Sequence, residues 1–485
     1  MKKGLFTHTK QIRITLVTIL VFIANIAFAS GGHDTHLVPH VDGTALSIIW
    51  IIPFIGILLS IAAMPLVAPH FWHNNFGKIS FFWALSLIIP FIIIEGYSIA
   101  LYEVLHIILL DYIPFIILLL ALFTISGGIH IKGSLVGTPI LNLIIILIGT
   151  ILASWMGTTG AAMLLIRPLI KANLHREHKV HVIVFFIFLV ANIGGSLTPL
   201  GDPPLFLGFL KGVSFFWTTS AMLKPMLFMV VSLLVIFFII DSRFYGMEDH
   251  SKKPKTEGNE KIGIEGSINF LFLLGVVLAV LMSGMWNPHI SFNIYHVHVE
   301  LQNLLKDILL LSLTLLSWIF TSKKLREKNQ FTWFPIQEVA KLFAGIFVTI
   351  IPAIAILKAG TEGALSSVIN SVSSDGSPIN YMYFWLTGLL SSFLDNAPTY
   401  LVFFNTAGGD AATLMGPLHD TLLAISAGAV FMGACTYIGN APNFMVKSIA
   451  EEQDISMPSF FGYMFKYSIP ILIPLFVLVS IIFFR

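Results

Sequence analysis

Long apolar runs constrain this chain more than any other feature of its sequence. Hydrophobic residues make up 56% of the 485 residues, whereas charged residues make up only 11%. An ordinary soluble domain carries about 25% charged residues. Runs such as 45–67, 79–100 and 468–484 contain almost no charge, and about 20 apolar residues form a helix that crosses the hydrocarbon of a bilayer. The sequence therefore predicts an all-α polytopic membrane protein.

Composition and missing motifs exclude several other classes. A net charge of +2 is too small to indicate a nucleic-acid partner. The single cysteine, Cys435, excludes an internal disulfide and a cysteine-based metal cluster. The sequence contains no Walker loop, dinucleotide fingerprint or His-Glu-x-x-His motif, which argues against an ATP-driven pump or a zinc protease. We expect no enzymatic activity and no bound cofactor.

The first 30 residues have the organisation of a secretory signal. Basic residues up to Arg13 precede an apolar run over 14–27, and small residues follow at Ala27 and Ala29. This order is typical of a cleavable signal peptide, although an uncleaved first helix stays open as an alternative. Both alternatives export residues 31–44, including a histidine-rich tract that is either a solvated tail or a metal-binding segment.

A second constraint is a motif that occurs twice, 238 residues apart. The stretch from Gly195 to Phe206 aligns without a gap with the stretch from Gly433 to Phe444, and Gly, Thr, Gly, Pro and Phe match. The same offset places Met156 and the polar residues after it on Leu394 and the residues after that. Each copy interrupts very apolar sequence with helix-breaking and polar residues. Paired interruptions of this kind indicate the binding site of a transporter.

Lysine and arginine predict the topology, because cytoplasmic loops carry an excess of both. The basic segments are 1–13, 78, 132, 167–179, 243–261, 323–341 and 447–466, and the connections without Lys or Arg are 31–44, 101–111, 287–302, 361–380 and 406–419. The two groups alternate along the chain only if 139–170 and 380–407 turn back without crossing. One of these hairpins would enter from each side, so the two halves are predicted to have inverted topology.

These rules divide the chain into segments. The predicted segments are a signal peptide or first helix over 1–30, an N-terminal half over 45–241 with hairpin 139–170 and broken helix 182–218, a cytoplasmic linker over 242–267, and a C-terminal half over 268–485 with hairpin 380–407 and broken helix 419–450.

The interruptions are predicted to be the ion-binding site. Unwound backbone at membrane depth persists only where protein or a cavity satisfies it, and its free carbonyls attract cations. The residues expected to break the helices are Gly201, Pro204, Pro398, Gly439 and Pro442. The residues expected to supply oxygen ligands are Thr158, Thr159, Thr198, Asn396, Thr399, Thr436 and Asn440.

The two copies differ in charge. Asp202 aligns with Asn440, and Asp395 aligns with Gly157, so each half contributes one carboxylate at an interruption. Carboxylates inside a membrane are costly and often mark the path of an ion or a proton. Each aspartate could instead cap a half-helix, and the two roles are compatible. Weaker candidates are Glu95, Glu103, Asp111, Lys358 and Arg167, for which positions near the membrane surface are expected.

These motifs resemble a known group. The segments 157–168, 192–204 and 394–399 are similar to the citrate-transporter-like branch of the ion transporter superfamily, which joins sodium/proton antiporters with arsenite and di- and tricarboxylate carriers. The resemblance covers most of the chain after residue 45. It implies two inverted repeats, each with a re-entrant hairpin and a broken transmembrane helix, and a homodimer. It does not determine the substrate.

The sequence departs from the carboxylate carriers at the hairpin tips. Those carriers resemble one another in Ser-Asn-Thr at both tips, where this chain has Gly-Thr-Thr-Gly and Asp-Asn-Ala-Pro. Two aspartates would repel an organic anion unless they were protonated or bound to Na⁺. The sequence therefore favours a sodium/proton antiporter of the bacterial inner membrane, with Na⁺ at Asp202 and Asp395. The alternative is a sodium-coupled citrate or dicarboxylate carrier, which would need a cation such as Lys358 at the site.

Overall fold

The computed structural model describes residues 38–248, 261–374 and 376–485. Nine helices in these ranges are long and apolar enough to cross a membrane, and a tenth span is obtained if the bent pair Phe334–Thr349 and Ile351–Lys358 is counted as one. The predicted all-α polytopic membrane fold is confirmed. The signal peptide or first helix predicted over 1–30 lies outside the described residues, as do residues 249–260 of the predicted linker.

The N-terminal half contains nine α-helices in its described part. They are Ile52–Val67, Pro69–Glu95, Tyr97–Ile107, Ile113–Ser126, Pro139–Met156, Thr158–Asn173, Val180–Leu189, Pro203–Leu210 and Phe215–Tyr245. Short 3₁₀ segments occur at Ile48–Ile51 and Ile193–Leu197, and a π-helical turn at Ile108–Tyr112 joins its two neighbours into one span.

The C-terminal half contains thirteen α-helices in its described part. Its α-helices are Ile268–Met285, Leu301–Phe320, Lys323–Lys328, Phe334–Thr349, Ile351–Lys358, Ser366–Ser371, Asn380–Phe393, Asn396–Thr406, Ala411–Met415, His419–Met432, Ala441–Glu451, Phe460–Tyr463 and Ile469–Phe483. Its other turns are the 3₁₀ segments Gly360–Glu362 and Gly433–Cys435 and the π-helical turn Met464–Ser468. Pro352 begins the second member of the bent pair and lacks the N–H that would continue the helix before it.

Strands are short and lie in loops. The antiparallel pairs are His130–Lys132 with Gly263–Glu265, Ser291–Ile294 with Val297–Glu300, and Ser373–Ser374 with Ser377–Pro378. The first pair joins the loop before the first hairpin to the start of the C-terminal half. Two basic segments lie together at this pair of strands, since Lys132 and Lys328 both form an ion pair with Glu265.

Both segments predicted to turn back form helical hairpins. In the first hairpin, Pro139–Met156 and Thr158–Asn173, the backbone N–H of Gly137 donates to the carbonyl of Ala172 at 2.8 Å. In the second hairpin, Asn380–Phe393 and Asn396–Thr406, the rings of Tyr383 and Phe403 are 6.3 Å apart. The open ends of each hairpin therefore meet, as a re-entrant element requires. Pro139–Met156 is by length and composition also a candidate span, so re-entry of this segment without crossing stays a prediction.

Each broken helix has two arms with unwound backbone between them. The first broken helix consists of Val180–Leu189 and Pro203–Leu210, and the second of His419–Met432 and Ala441–Glu451. The first was predicted to continue to residue 218, but its second arm ends at Leu210. Gly212, at a φ of +102°, reverses the chain after that arm, and the helix Phe215–Tyr245 then begins.

Candidate ion-binding site

Asp202 lies at the point where the four interruptions meet. Its side chain is buried, with 1% of the residue exposed. Its Oδ1 accepts hydrogen bonds from Oγ1 of Thr158 at 3.1 Å and from Nδ2 of Asn440 at 3.0 Å. Its Oδ2 accepts one from Nδ2 of Asn396 at 2.5 Å. These donors belong to the first hairpin, the second broken helix and the second hairpin, so one carboxylate connects elements from both halves.

The surroundings of this carboxylate are polar but neutral. Thr158, Asn396 and Asn440 offer a hydroxyl and two amides, and all three are buried. Neutral donors solvate a buried carboxylate only in part, and a full negative charge within a membrane remains costly. The arrangement therefore suits a group that is neutralised by a proton or by a bound cation.

Asn396 presents an acceptor next to Asp202 that is free for a ligand. Its Nδ2 donates to Asp202, whereas its buried Oδ1 has no hydrogen-bond partner within the described ranges. A buried carbonyl oxygen without a partner is uncommon, because its desolvation is not compensated. An amide oxygen and a carboxylate together are hard oxygen ligands of the kind that alkali and alkaline-earth cations prefer.

Asp395, the second predicted carboxylate, caps a helix. Its Oδ1 accepts a hydrogen bond from the backbone N–H of Ala397 at 3.1 Å, at the start of Asn396–Thr406. Asp395 is half-buried, and it lies close enough for its charge to act on Asp202. The capping alternative thus describes Asp395 in this conformation. Asp202 precedes Pro203–Leu210 in extended backbone but makes no capping bond with its side chain.

Thr198 and Thr436 attach each broken helix to the hairpin of the same half. The hydroxyl of Thr198 donates to the carbonyl of Ser154, and that of Thr436 donates to the carbonyl of Ser392 at 2.5 Å. Each hydroxyl also accepts a bond from nearby backbone, for example from the N–H of Leu200 at 3.2 Å. Both threonines were predicted as ion ligands, and the structure places their hydroxyls against backbone groups rather than against Asp202.

The glycines of the repeated motif permit a close backbone approach. A Cβ on Gly201 would lie 2.1 Å from the carbonyl oxygen of Gly195, and one on Gly439 would lie 2.6 Å from that of Gly433. Real side chains do not tolerate such distances, so the same contact requires glycine in both halves. The three predicted helix-breaking prolines lie in the first turn of a helix, where a missing N–H costs nothing; they are Pro204, Pro398 and Pro442.

The other predicted oxygen ligands lie nearby without contacting Asp202. Thr159 is half-buried in the first turn after the tip of the first hairpin. The hydroxyl of Thr399 donates to the backbone carbonyl of Asp395 at 3.0 Å. Of the predicted ligands, the structure therefore brings Thr158, Asn396 and Asn440 onto Asp202.

Four residues that hold the site together were not predicted. Ser154 and Ser392 are separated by the same offset as the motifs, which was a signal that could have found them. The hydroxyl of Ser154 donates to the carbonyl of Gly194 at 2.5 Å. Asn192 and Asn443 join the two broken helices, since Nδ2 of Asn192 donates to Oδ1 of Asn443 at 2.7 Å. Both lie in the motif segments 192–204 and 433–444, yet no residue pattern indicates that they contact each other.

Lys358 lies in a different cluster of charges. It is near Lys211, Glu103 and Asp111. Nζ of Lys211 and Oδ2 of Asp111 are 2.6 Å apart, and Glu103 accepts a bond from Nδ1 of His40. Glu103 and Asp111 are 7% and 1% exposed and so are buried in the protein, and their expected position near the membrane surface stays a prediction. Their burial depends on ion pairs with residues far away in the chain, which sequence alone does not reveal.

Comparison with known proteins is consistent with this architecture. A protein-family model described as "Putative citrate transport" matches residues 43–484. No curated protein matches the chain. The match extends over both halves, both hairpins and both broken helices, and hence over every residue of the site. The chain therefore belongs to this citrate-transport family and is a multi-pass membrane transport protein.

Proposed function

We propose that this protein is a secondary transporter that exchanges Na⁺ for H⁺ at Asp202 across the bacterial inner membrane. The observation that carries this proposal is the pairing of a buried carboxylate with a buried, unpartnered amide oxygen on Asn396. The carboxylate supplies the charge that binds Na⁺, and the amide supplies a neutral oxygen ligand. Asp395 lies beside this pair and contributes a second negative charge.

Exchange follows from competition for one group. A proton on Asp202 removes the charge that binds Na⁺, and bound Na⁺ makes protonation unfavourable. Each time the site opens to one face of the membrane, it therefore carries either Na⁺ or H⁺ but not both. Elements from both halves bind the same carboxylate, so a movement of one half relative to the other would open the site to alternate faces.

The test is proton flux in liposomes that contain the purified full chain. Addition of Na⁺ to vesicles with a preformed pH gradient should dissipate the gradient, as measured with an internal pH-sensitive dye. Asp202→Asn should abolish the response because the variant lacks the carboxylate for which Na⁺ and H⁺ compete. The matched control is Asp420→Asn, which makes the same chemical change at an exposed position. A response of Asp202→Asn equal to that of the wild type would exclude this site.

A second candidate is sodium-coupled transport of citrate or a related organic anion. The description of the matching family favours it. In this case Na⁺ bound at Asp202 and Asp395 would offset their charge and allow the anion to approach. The cation that the sequence suggested for anion binding, Lys358, lies with Glu103 and Asp111, so it is not available without a rearrangement.

Labelled citrate distinguishes the two candidates in the same vesicles. Accumulation of citrate that depends on an inward Na⁺ gradient would favour the anion carrier. Na⁺-driven proton flux without citrate, unchanged when citrate is added, would favour the exchanger.

A further inference from the structure

Lys306 is a buried lysine that the proposed exchange site does not use. It lies in the helix Leu301–Phe320 and is 0% exposed. Its Nζ has no hydrogen-bond partner in the described part of the chain. The nearest opposite charge is Oδ1 of Asp307, at 3.5 Å. Adjacent residues point in different directions from a helix, so this pair has poor geometry.

The helices around Lys306 leave it with little charge compensation. The segments packed on its helix include Ile113–Ser126, Ile268–Met285 and the strand Val297–Glu300, and the ring of Phe206 in Pro203–Leu210 also contacts it. Arg326 packs at the other end of the helix, where it donates to the carbonyl of Ser317. The three helices contain no titratable side chain, and the strand contributes His298 and Glu300. A buried ammonium without hydrogen-bond partners is costly, whereas a neutral amine is much less so.

Polar side chains lie between the loop and this lysine. Gln302 precedes Lys306 by four residues and so lies on the same face of the helix. Its Nε2 donates to Oε2 of the exposed Glu300 at 2.6 Å, while its buried Oε1 has no partner in the described ranges. This end of the helix adjoins the loop 287–302, which lacks Lys and Arg and is predicted to be external. Polar groups therefore extend from the predicted external loop to within about one helical turn of Lys306.

Lys306 is also connected to the exchange site through one helix. Its Nζ lies 5.7 Å from the centre of the Phe206 ring, over its face. Phe206 is one turn after Asp202, at the start of the same second arm. An aromatic face stabilises the ammonium form, so a displacement of this arm would remove part of that stabilisation. Movement of Asp202 between the two faces would then change the proton affinity of Lys306.

We propose that Lys306 is a second proton-carrying group of the transporter, coupled to Asp202 through the helix that carries Phe206. In each cycle its ammonium releases one proton to water at one face, and the free amine takes up one proton at the other face. These protons move opposite to Na⁺ and in addition to the proton on Asp202, so each cycle moves net charge. The inference rests on the proposed exchange of Na⁺ for H⁺.

The test is whether membrane potential shifts the equilibrium of exchange. Liposomes containing the full chain receive a K⁺ diffusion potential of about 100 mV, and the Na⁺ ratio at which proton flux reverses is measured. One net charge per cycle makes about 100 mV equivalent to about 50-fold in that ratio. In the wild type the Na⁺ ratio at reversal should shift with the potential. Lys306→Gln should still exchange Na⁺ for H⁺, but its reversal ratio should not shift. Lys306→Arg should also lose the shift, because a guanidinium stays protonated.

The matched control is Lys224→Gln, which removes an exposed lysine from another helix and should shift as the wild type does. A full shift in Lys306→Gln would overturn the proposal and assign the extra charge to the aspartates. No shift in the wild type would overturn it without any variant, so the test does not depend on the folding of Lys306→Gln. Absence of Na⁺-driven flux in the wild type would instead reject the proposed function, and this inference with it.

Discussion

The two broken helices have nearly the same backbone and different chemistry. In both, a threonine donates to a carbonyl of the neighbouring hairpin, and a pair of glycines permits close contact. Their second arms begin at Pro203 and at Ala441, which are 238 residues apart. Only the first carries a carboxylate before that helix, where the second carries Asn440. The two broken helices therefore share the interruption, whereas only the first carries a carboxylate at it.

The difference between Asp202 and Asn440 bears directly on the proposed ion site. A carboxylate in both broken helices would place two negative charges against each other, because Asn440 donates directly to Asp202. An amide at that position is instead a neutral partner that supports the charge. We infer that the site requires a carboxylate at position 202 and an amide at position 440. The residues that the two broken helices share position the backbone.

Exchange of Asp202 and Asn440 is the strongest test of the difference between the two broken helices. Asp202→Asn alone should reduce Na⁺-dependent proton flux at least about 100-fold, the effect expected when interactions worth about 3 kcal/mol are lost. The double variant Asp202→Asn/Asn440→Asp restores one carboxylate on the other side of the same hydrogen bond. It should recover part of the flux, measured in liposomes at equal protein content. A double variant as inactive as the single one would show that the halves are not interchangeable at this point.

Thr198 and Thr436 test whether the two broken helices contribute equally to stability. Thr198→Val and Thr436→Val each leave a buried carbonyl without its donor, which costs about 1–3 kcal/mol. The two losses should be similar, since both hydroxyls bond to the equivalent hairpin carbonyl. Thermal unfolding of the purified protein in detergent measures them. Thr314→Val is the control, because its hydroxyl bonds a carbonyl of its own helix, and a smaller loss is expected there. Unequal losses at the two sites would show that the halves are held differently.

The smallest expected effect concerns the loop that follows the first hairpin and its contact with Glu248. Glu248 accepts hydrogen bonds from the backbone N–H groups of Glu177 and His178, at 2.9 Å and 2.8 Å. Burial acts to raise the pKa of Glu248, but these bonds and the charge of Arg176 outweigh it and lower the pKa. The second hairpin is followed instead by an exposed capping residue, Asp410.

A carboxyl group with a lowered pKa stabilises the fold above its unfolded value of about 4.3 and loses this contribution as pH falls through the folded pKa. Glu248→Gln should therefore destabilise the protein by about 1 kcal/mol at neutral pH. The difference from the wild type should shrink below about pH 4. Thermal unfolding against pH measures it, with Asp420→Asn as the control at an exposed carboxylate. A difference that is constant with pH would exclude the carboxylate as its source.

The positions of the interruptions could be predicted because their causes are local. Glycine and proline break a helix wherever they occur in an apolar run, and basic residues indicate which loops lie together. The sequence also places Asp202 opposite Asn440, since alignment of the repeats is enough to pair them. These inferences required no knowledge of side-chain directions.

The roles of individual side chains could not be predicted in the same way. Thr198 and Asn440 are equally polar and equally close to a break, yet one bonds to backbone and the other to Asp202. The choice depends on how the hairpins pack on the broken helices. Lys306 shows the same limit, because its position in an apolar helix is visible in the sequence whereas its contact with Phe206 comes from tertiary packing.

The three donors to Asp202 are not synthesised at the same time. Of its three donors, only Thr158 precedes it; Asn396 and Asn440 follow 194 and 238 residues later. During synthesis the N-terminal half must therefore hold this carboxylate in the membrane with a single partner. An unsatisfied polar group in hydrocarbon is costly, so the unfinished protein depends on a proton, on water or on the insertion machinery until its second half arrives.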